Sequence, residues 1–335
     1  MLDADQSRRY NNYEEGNMRD IRIGAAQFEH RNADKNHNLS VMKQLIAVAV
    51  DRGAEILSFH EACIPAYTFL RGSSKDQLLD LAETIPDGPS TRKLIEMARE
   101  FKIVILAGLL ERDDLKNVYN AYICVNGDGL IAKHRKLHAF INEHLVNGNE
   151  YCVFELGSVK FGILTCFDNN LIENVRITAL MGAEVIFMPH VTCGLPSPMP
   201  GRGLVDKRLW ENRHRDPVSL RQEFMGPKGR GWLMRWLPTR AYENGIYAVF
   251  TNPVGVDDDQ IRNGNAMIID PYGEIVIECN SFGDDVVVGL CTPEKIDDSP
   301  GRRYLRARRP ELYGKLTEIG SEPPVIDSGW GIVKA

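Results

Sequence analysis

Apolar residues fall into short runs separated by turn formers along most of the chain. Residues 21–28 form one such run and read as a strand. Over 38–52 the spacing changes: Val41, Leu45, Ile46, Val48 and Ala49 recur at helical intervals, and Gly53 supplies the stop. Residues 54–59 read as a strand again. The order strand, helix, strand returns at 159–164, 173–181 and 183–188. Between these halves, 103–110, 119–125 and 130–131 predict strands, the last two joined by the turn tetrad Asn126-Gly127-Asp128-Gly129. Gly157-Ser158 marks another tight turn. Residues 232–244 predict a helix ending at Gly245. Strands are expected at 246–251, 266–269, 274–278 and 286–290, with Asp270-Pro271-Tyr272-Gly273 turning the middle pair.

Strands alternating with helices, and several hairpins, predict an α/β fold of two mixed sheets flanked by helices. The halves also share letters: Gly53-Ala54-Glu55-Ile56-Leu57 is echoed by Gly182-Ala183-Glu184-Val185-Ile186. Matches this short also arise by chance. A true repeat would place a site between the strand ends of two related sheets. Residues 193–231, rich in Pro, Gly and Arg, break the rhythm and read as an insertion or lid with a short helix over 218–224. No Pro/Ser-rich linker divides the chain. The organisation expected is a polar leader at 1–20, one domain over 21–300 and a tail over 301–335 lying across a partner subunit.

Composition narrows the classes. Forty Lys and Arg against 46 Asp and Glu leave a net charge of −6, so no nucleic-acid field is expected. Seven cysteines, an odd number without CxxC spacing, argue for reduced thiols in the cytoplasm and against a zinc ribbon. The start of the chain has no apolar signal core, and no run of eighteen apolar residues is present to span a membrane. Gly226 to Gly231 lacks the strand and the Gly-Lys-Ser/Thr ending of a phosphate loop and reads as a flexible lid. Asp257-Asp258-Asp259 lacks the glutamate of a calcium loop and reads as a solvated hairpin.

Candidate chemistry lies at strand ends. Cys166 follows the apolar run Phe161-Gly162-Ile163-Leu164-Thr165 and precedes Phe167-Asp168-Asn169-Asn170, the mouth of a helix. N–H donors there lower a thiol's pKa and can hold an oxyanion. Glu61 ends the strand Leu57-Ser58-Phe59-His60, where desolvation makes a carboxylate a usable base. Lys136 sits in Lys133-His134-Arg135-Lys136-Leu137-His138. Each has a plainer reading alone: a turn-capping Glu, a solvated face or phosphate patch, an inert buried thiol.

Taken together, Phe59-His60-Glu61, His134-Arg135-Lys136-Leu137-His138 and Gly162-Ile163-Leu164-Thr165-Cys166-Phe167-Asp168 resemble the nitrilase (carbon–nitrogen hydrolase) superfamily. So do Ile23-Gly24-Ala25-Ala26-Gln27, Arg240-Ala241-Tyr242-Glu243-Asn244-Gly245 and Asp270-Pro271-Tyr272-Gly273-Glu274; the likeness covers about residues 21–315. The resemblance implies a four-layer α/β/β/α sandwich and a homodimer formed through the face near the Cys helix. It implies Glu61 as general base, Lys136 as oxyanion cation and Cys166 as nucleophile, with Glu143 positioning Lys136 and the Phe167 N–H as oxyanion donor. No metal or organic cofactor is expected.

Phe167-Asp168 replaces the Trp-Glu that usually follows the nucleophile in true nitrilases, so a linear amide or carbamoyl substrate is expected before a nitrile. Glu173 fits the family's later acidic residue, but Leu171-Ile172 replaces the usual Phe-Pro. His190 and Thr192 face either the pocket or nearby backbone; Tyr67 and Asn170 are further substrate-binding candidates. Arg202, Arg208, Arg213, Arg215, Arg221 and Arg230 in the insertion fit either an acidic substrate group, as in an N-carbamoyl amino acid, or acids at a subunit interface. An acyltransferase or an inactive scaffold are the alternatives outside hydrolysis.

Overall fold

The computed structural model describes residues 18–320 and the backbone of a terminal hairpin, Val325–Ser328 with Gly331–Lys334. Most of the expected leader, residues 1–17, lies outside the described residues. The rest of it belongs to the domain, since Met18 is buried between the sheets and Arg19 pairs with Glu55.

Two six-stranded sheets carry the fold. The strands of the first are β1 (Ile21–Gln27), β2 (Ile56–Ser58), β3 (Val104–Arg112), β4 (Val118–Asn126), β5 (Gly129–Arg135) and β14 (Asp285–Cys291), in the order β14-β1-β2-β3-β4-β5. The second holds β6 (Cys152–Leu156), β7 (Val159–Ile163), β8 (Val185–Pro189), β9 (Tyr247–Thr251), β12 (Met267–Ile269) and β13 (Ile275–Glu278), in the order β13-β12-β9-β8-β7-β6. Each sheet has a parallel centre, β1-β2-β3 and β7-β8-β9, with antiparallel edges. A separate hairpin, β10 (Val254–Asp257) and β11 (Gln260–Asn263), follows β9.

Side-chain alternation builds the layers. Ile21, Ile23, Ala25, Ile56 and Leu106 of one sheet meet Phe161, Ile163, Phe187, Val249 and Ile268 of the other. Their strand neighbours point the opposite way. Leu57, Ile105 and Ile123 receive helices α1 (Lys35–Asp51) and α2 (Pro89–Phe101). Ile186, Met188, Ala248 and Phe250 receive α3 (Ile172–Leu180) and α4 (Leu237–Asn244). The result is the expected helix, sheet, sheet, helix stack. Among the described residues, no helix is long and apolar enough to cross a membrane.

The echoed pentapeptides occupy matching places. Ala54 N bonds Ala49 O and Ala183 N bonds Thr178 O; Glu55 N bonds Arg22 O and Glu184 N bonds Lys160 O. The Glu55 carboxylate caps Arg22 N, and the Glu184 carboxylate caps Lys160 N. Each segment thus closes a helix and launches the middle strand of its sheet's parallel centre, and both strands end at the site.

Three expectations change. The helix expected over 232–244 is two, Arg230–Leu233 and α4, because Pro238 removes a backbone donor and opens α4 at its first turn. The segment 193–231 is not a loose lid: it holds short helices at Lys207–Glu211, Pro217–Met225 and Arg230–Leu233. Its Val205, Trp210, Leu220 and Phe224 pack on Val254 and Ile261 of the β10–β11 hairpin. The tail begins on its own domain, where Pro300–Arg306 buries Leu305 in the core of the second sheet.

Candidate active site

Four strand ends converge. Glu61 lies three residues past β2, Lys136 directly past β5, Cys166 three residues past β7 and Val191 two past β8. Backbone bonds hold these ends: Phe59 N to Leu106 O, Lys136 N to Asn120 O (2.8 Å), Leu164 N to Phe187 O and His190 N to Thr251 O. Two glycines permit the close approach. A side chain at Gly108 in β3 would run into Ala62 N beside Glu61, and one at Gly148 would run into the Arg135 carbonyl. The Gly148 N–H instead donates to Lys136 O.

Glu61 and Lys136 are fully buried and joined at 2.6 Å, Nζ to Oε1. Asn120 Nδ2 donates to the same oxygen (2.7 Å) and Val191 N–H to Oε2 (3.1 Å). Lys136 Nζ also donates to Tyr67 OH (3.3 Å) and lies 4.9 Å from the Phe140 ring centre. Burial alone would pull the Lys136 pKa down, but the acidic groups around it, Cys166 and Glu61, then Tyr67 and Asp168, hold it well above the usual lysine range. Burial pushes the Tyr67 phenol well up, so it stays neutral beside the ammonium. Tyr67, expected to touch substrate, supports Lys136. Glu143 is exposed on the turn that follows; the positioning expected of it falls to Asn120 and Tyr67.

Cys166 opens the 3-10 turn Cys166–Asn169 with a left-handed backbone, φ 53°. Such a conformation in a non-glycine residue costs about 1–3 kcal/mol and persists where the surroundings enforce it. Glu61, Lys136 and the Val191 N–H all act on its thiol. Burial, then the Glu61 carboxylate, push the thiol up to about 12 against the pull of Lys136. This corrects the expectation of a lowered thiol pKa: N–H donors at the turn do not outweigh desolvation. Alkylation of Cys166 by iodoacetamide, followed by peptide mass, is therefore expected to accelerate continuously from about pH 7 to about pH 10. A plateau below about pH 8 would indicate a resting thiolate instead.

Asp168 binds the two loops together. Fully buried, it accepts from Leu137 N (3.1 Å), His138 N (3.0 Å), His138 Nδ1 (2.8 Å), His134 Nε2 (3.3 Å) and Thr165 N (3.3 Å). Burial raises its pKa, but the hydrogen bonds from His134 and His138 and the nearby positive charges hold it far below the carboxylate range. Arg240 braces the same turn, donating from Nε to Asn169 O (3.1 Å) and from Nη2 to Asn170 O (3.0 Å). Asn170 thus contributes its carbonyl to the scaffold. Phe167 sets its ring between His138 (5.9 Å) and Phe140 (5.5 Å).

The basic run 133–138 is neither a solvated face nor a phosphate patch. Lys133 and Arg135 pair with the buried Glu111, His134 and His138 with Asp168, and Lys136 with Glu61. Asp257, expected in a solvated hairpin, is buried. It accepts from Thr68 Oγ1 (2.6 Å) and Arg262 Nε (2.8 Å), and His30 joins it (2.9 Å) to His60, the neighbour of Glu61. His190 is buried against Trp236 and Phe250, its Nε2 3.3 Å from Asn169 Nδ2. Asn252 brackets the backbone of Thr192. The strand-end residue that touches Glu61 is therefore Val191, through an N–H that no side-chain pattern reports. Of the insertion arginines, Arg208 pairs with Asp206 and Arg230 with Glu278 within this chain.

Residues 22–300 match the carbon–nitrogen hydrolase family. A nitrilase of Pyrococcus abyssi is 26% identical over 88% of this chain and 99% of its own length. An (R)-stereoselective amidase of a Pseudomonas species is 28% identical over 89% and 95%. An amidase of Nesterenkonia sp. AN1, carrying the acetamide moiety of fluoroacetamide on its active-site cysteine, shares the fold. Its TM-score is 0.65 at 19% identity, over 88% of this chain and 96% of that one. The chain belongs to the carbon–nitrogen hydrolase family and is a hydrolase of carbon–nitrogen bonds other than peptide bonds.

Proposed function

We propose that the protein hydrolyses a linear amide through a thioester on Cys166. One observation carries this reading: a single buried carboxylate, Glu61, is bonded at 2.6 Å to the Lys136 ammonium, and both groups act electrostatically on the buried Cys166 thiol. A thiol held near 12 does not ionise at rest, so it needs a base in contact as it attacks. Glu61 takes the proton while sulfur bonds the carbonyl carbon. The Lys136 ammonium and the Phe167 N–H hold the resulting oxyanion. As the carbonyl re-forms, the C–N bond breaks and Glu61 returns the proton to the departing nitrogen, releasing ammonia or an amine. Water then gives a proton to Glu61 and its oxygen to the thioester carbon. The C–S bond breaks, and the proton goes back to sulfur. The covalent cysteine of the Nesterenkonia amidase supports the first half of this cycle.

Intact-mass spectrometry with a panel of amides, ureido compounds and nitriles tests the proposal. A transient acyl adduct on Cys166 with ammonia release is expected from simple amides, and none from Cys166→Ala. Turnover surviving in Cys166→Ala would remove the thioester route. Adducts from ureido compounds alone would move the reading to carbamoyl hydrolysis.

A further inference from the structure

The insertion arginines are not equivalent. Arg208 and Arg230 have carboxylate partners, Arg213 donates to Trp210 O, and Arg221 donates to Asn280 O. Arg202 is different. Its guanidinium carbon lies 3.8 Å from the Trp232 ring centre, it is half-buried, and no acid pairs with it among the described residues. Its Nε is buried without a hydrogen-bond partner. Its charged neighbour is a second cation, Arg235.

An aromatic lane runs from this arginine to the nucleophile turn. Trp232 lies 5.5 Å from Trp236, and Trp236 lies 5.6 Å from His190, centre to centre. His190 in turn meets Asn169, the last residue of the turn that Cys166 opens. Two more donors on the lane are buried and unpartnered, Trp236 Nε1 and His190 Nδ1. The histidine proton can be placed. Asn169 Nδ2 donates to Leu164 O (2.7 Å), so the atom facing His190 Nε2 is the amide nitrogen. Nε2 accepts and Nδ1 carries the hydrogen. Burial, helped by Lys136, brings the His190 pKa down to about 3, so the ring is neutral.

The Arg202 guanidinium, with a buried Nε that has no acceptor, suits an anionic group rich in acceptors at its end of the lane. A carboxylate matches the planar fork of arginine. We infer that Arg202 is a specificity-determining residue: it receives a carboxylate carried by the substrate at the end remote from the scissile bond, with Trp232 and Trp236 walling the chain between. This rests on the amide-hydrolase reading and narrows it to acidic linear amides.

The test compares monoamides of dicarboxylic acids, four to eight carbons long, with the methyl ester of each at the remote end. The quantity read is the ratio of kcat/KM for acid over ester, which does not depend on the fraction of active protein. Wild type is expected to favour the acid at the best length by about tenfold or more, and Arg202→Gln to lower that ratio about 10- to 100-fold. Arg202→Lys should restore part of it. An acid-to-ester ratio unchanged within about twofold in Arg202→Gln, or a wild type that prefers the esters, overturns the assignment while leaving amide hydrolysis intact. Hydrolysis of neither series would overturn both.

Discussion

Lys136→Met is expected to lower kcat/KM for a linear amide by about 10²–10³ or more and to destabilise the fold by about 3–5 kcal/mol. Cys166→Ala should abolish turnover without that second effect. The difference lies in what each substitution leaves behind. Removing the ammonium strands the Glu61 carboxylate at zero exposure, with only Asn120 and the Val191 N–H as donors. An uncompensated buried charge is among the few single changes that approach such a magnitude. Alanine at position 166 loses a small thiol and leaves the Glu61–Lys136 pair whole. Urea unfolding and steady-state kinetics on both variants check the claim. The double substitution Glu61→Gln with Lys136→Met should regain much of the lost stability and stay inactive. If Lys136→Met retains near wild-type turnover, the ammonium is not the oxyanion partner. If it unfolds no more readily than wild type, the pair is not the buried unit described here.

The strand-end placement of Glu61, Lys136 and Cys166 was legible because each follows a short apolar run, and the alternation of such runs with helical spacing defines the sheets. The echo at Ala54 and Ala183 was legible too, and the matched hydrogen bonds around Glu55 and Glu184 give it a structural meaning. What could not be read were partners that owe their position to tertiary packing. Asn120 sits mid-strand in β4 as one polar residue among apolar ones. Val191 contributes only a backbone N–H. Arg240 reaches back seventy-one residues to the Asn169 carbonyl. The run 133–138 looked solvated because its charges are dense. Strand geometry sends Lys133 and Arg135 to Glu111 and their neighbours His134 and Lys136 inward, so two faces were read as one. The resemblance implies a positioning role for Glu143, but its place on the turn after Asn142 leaves it in solvent. Asp257 misled for a similar reason: two acidic residues follow it on the turn, yet its own side chain points to Arg262 and His30.

Asp168→Asn is expected to lower kcat about 100-fold and stability at neutral pH by about 3 kcal/mol, although Asp168 is assigned no contact with substrate. Both carboxylate oxygens face donors only: His138 N and Nδ1 on Oδ1, Leu137 N, His134 Nε2 and Thr165 N on Oδ2. An amide must turn its NH2 toward one of these sets, leaving a donor against donors in a site without solvent. The loops it joins carry Lys136 and Cys166, so loosening it misplaces the oxyanion cation relative to sulfur by fractions of an ångström. The acid dependence gives a readout that simple loss of packing would not. Asp168 in the fold titrates below its ordinary value of 3.8, so the stability it contributes is complete above that value and is lost as pH falls beneath it. The gap in unfolding free energy between wild type and Asp168→Asn should therefore be widest near neutrality and shrink at about pH 3. Urea titrations at both pH values decide the point: a gap that stays constant would mean that Asp168 acts through shape alone, and unchanged kcat would mean that the loops keep their register without it.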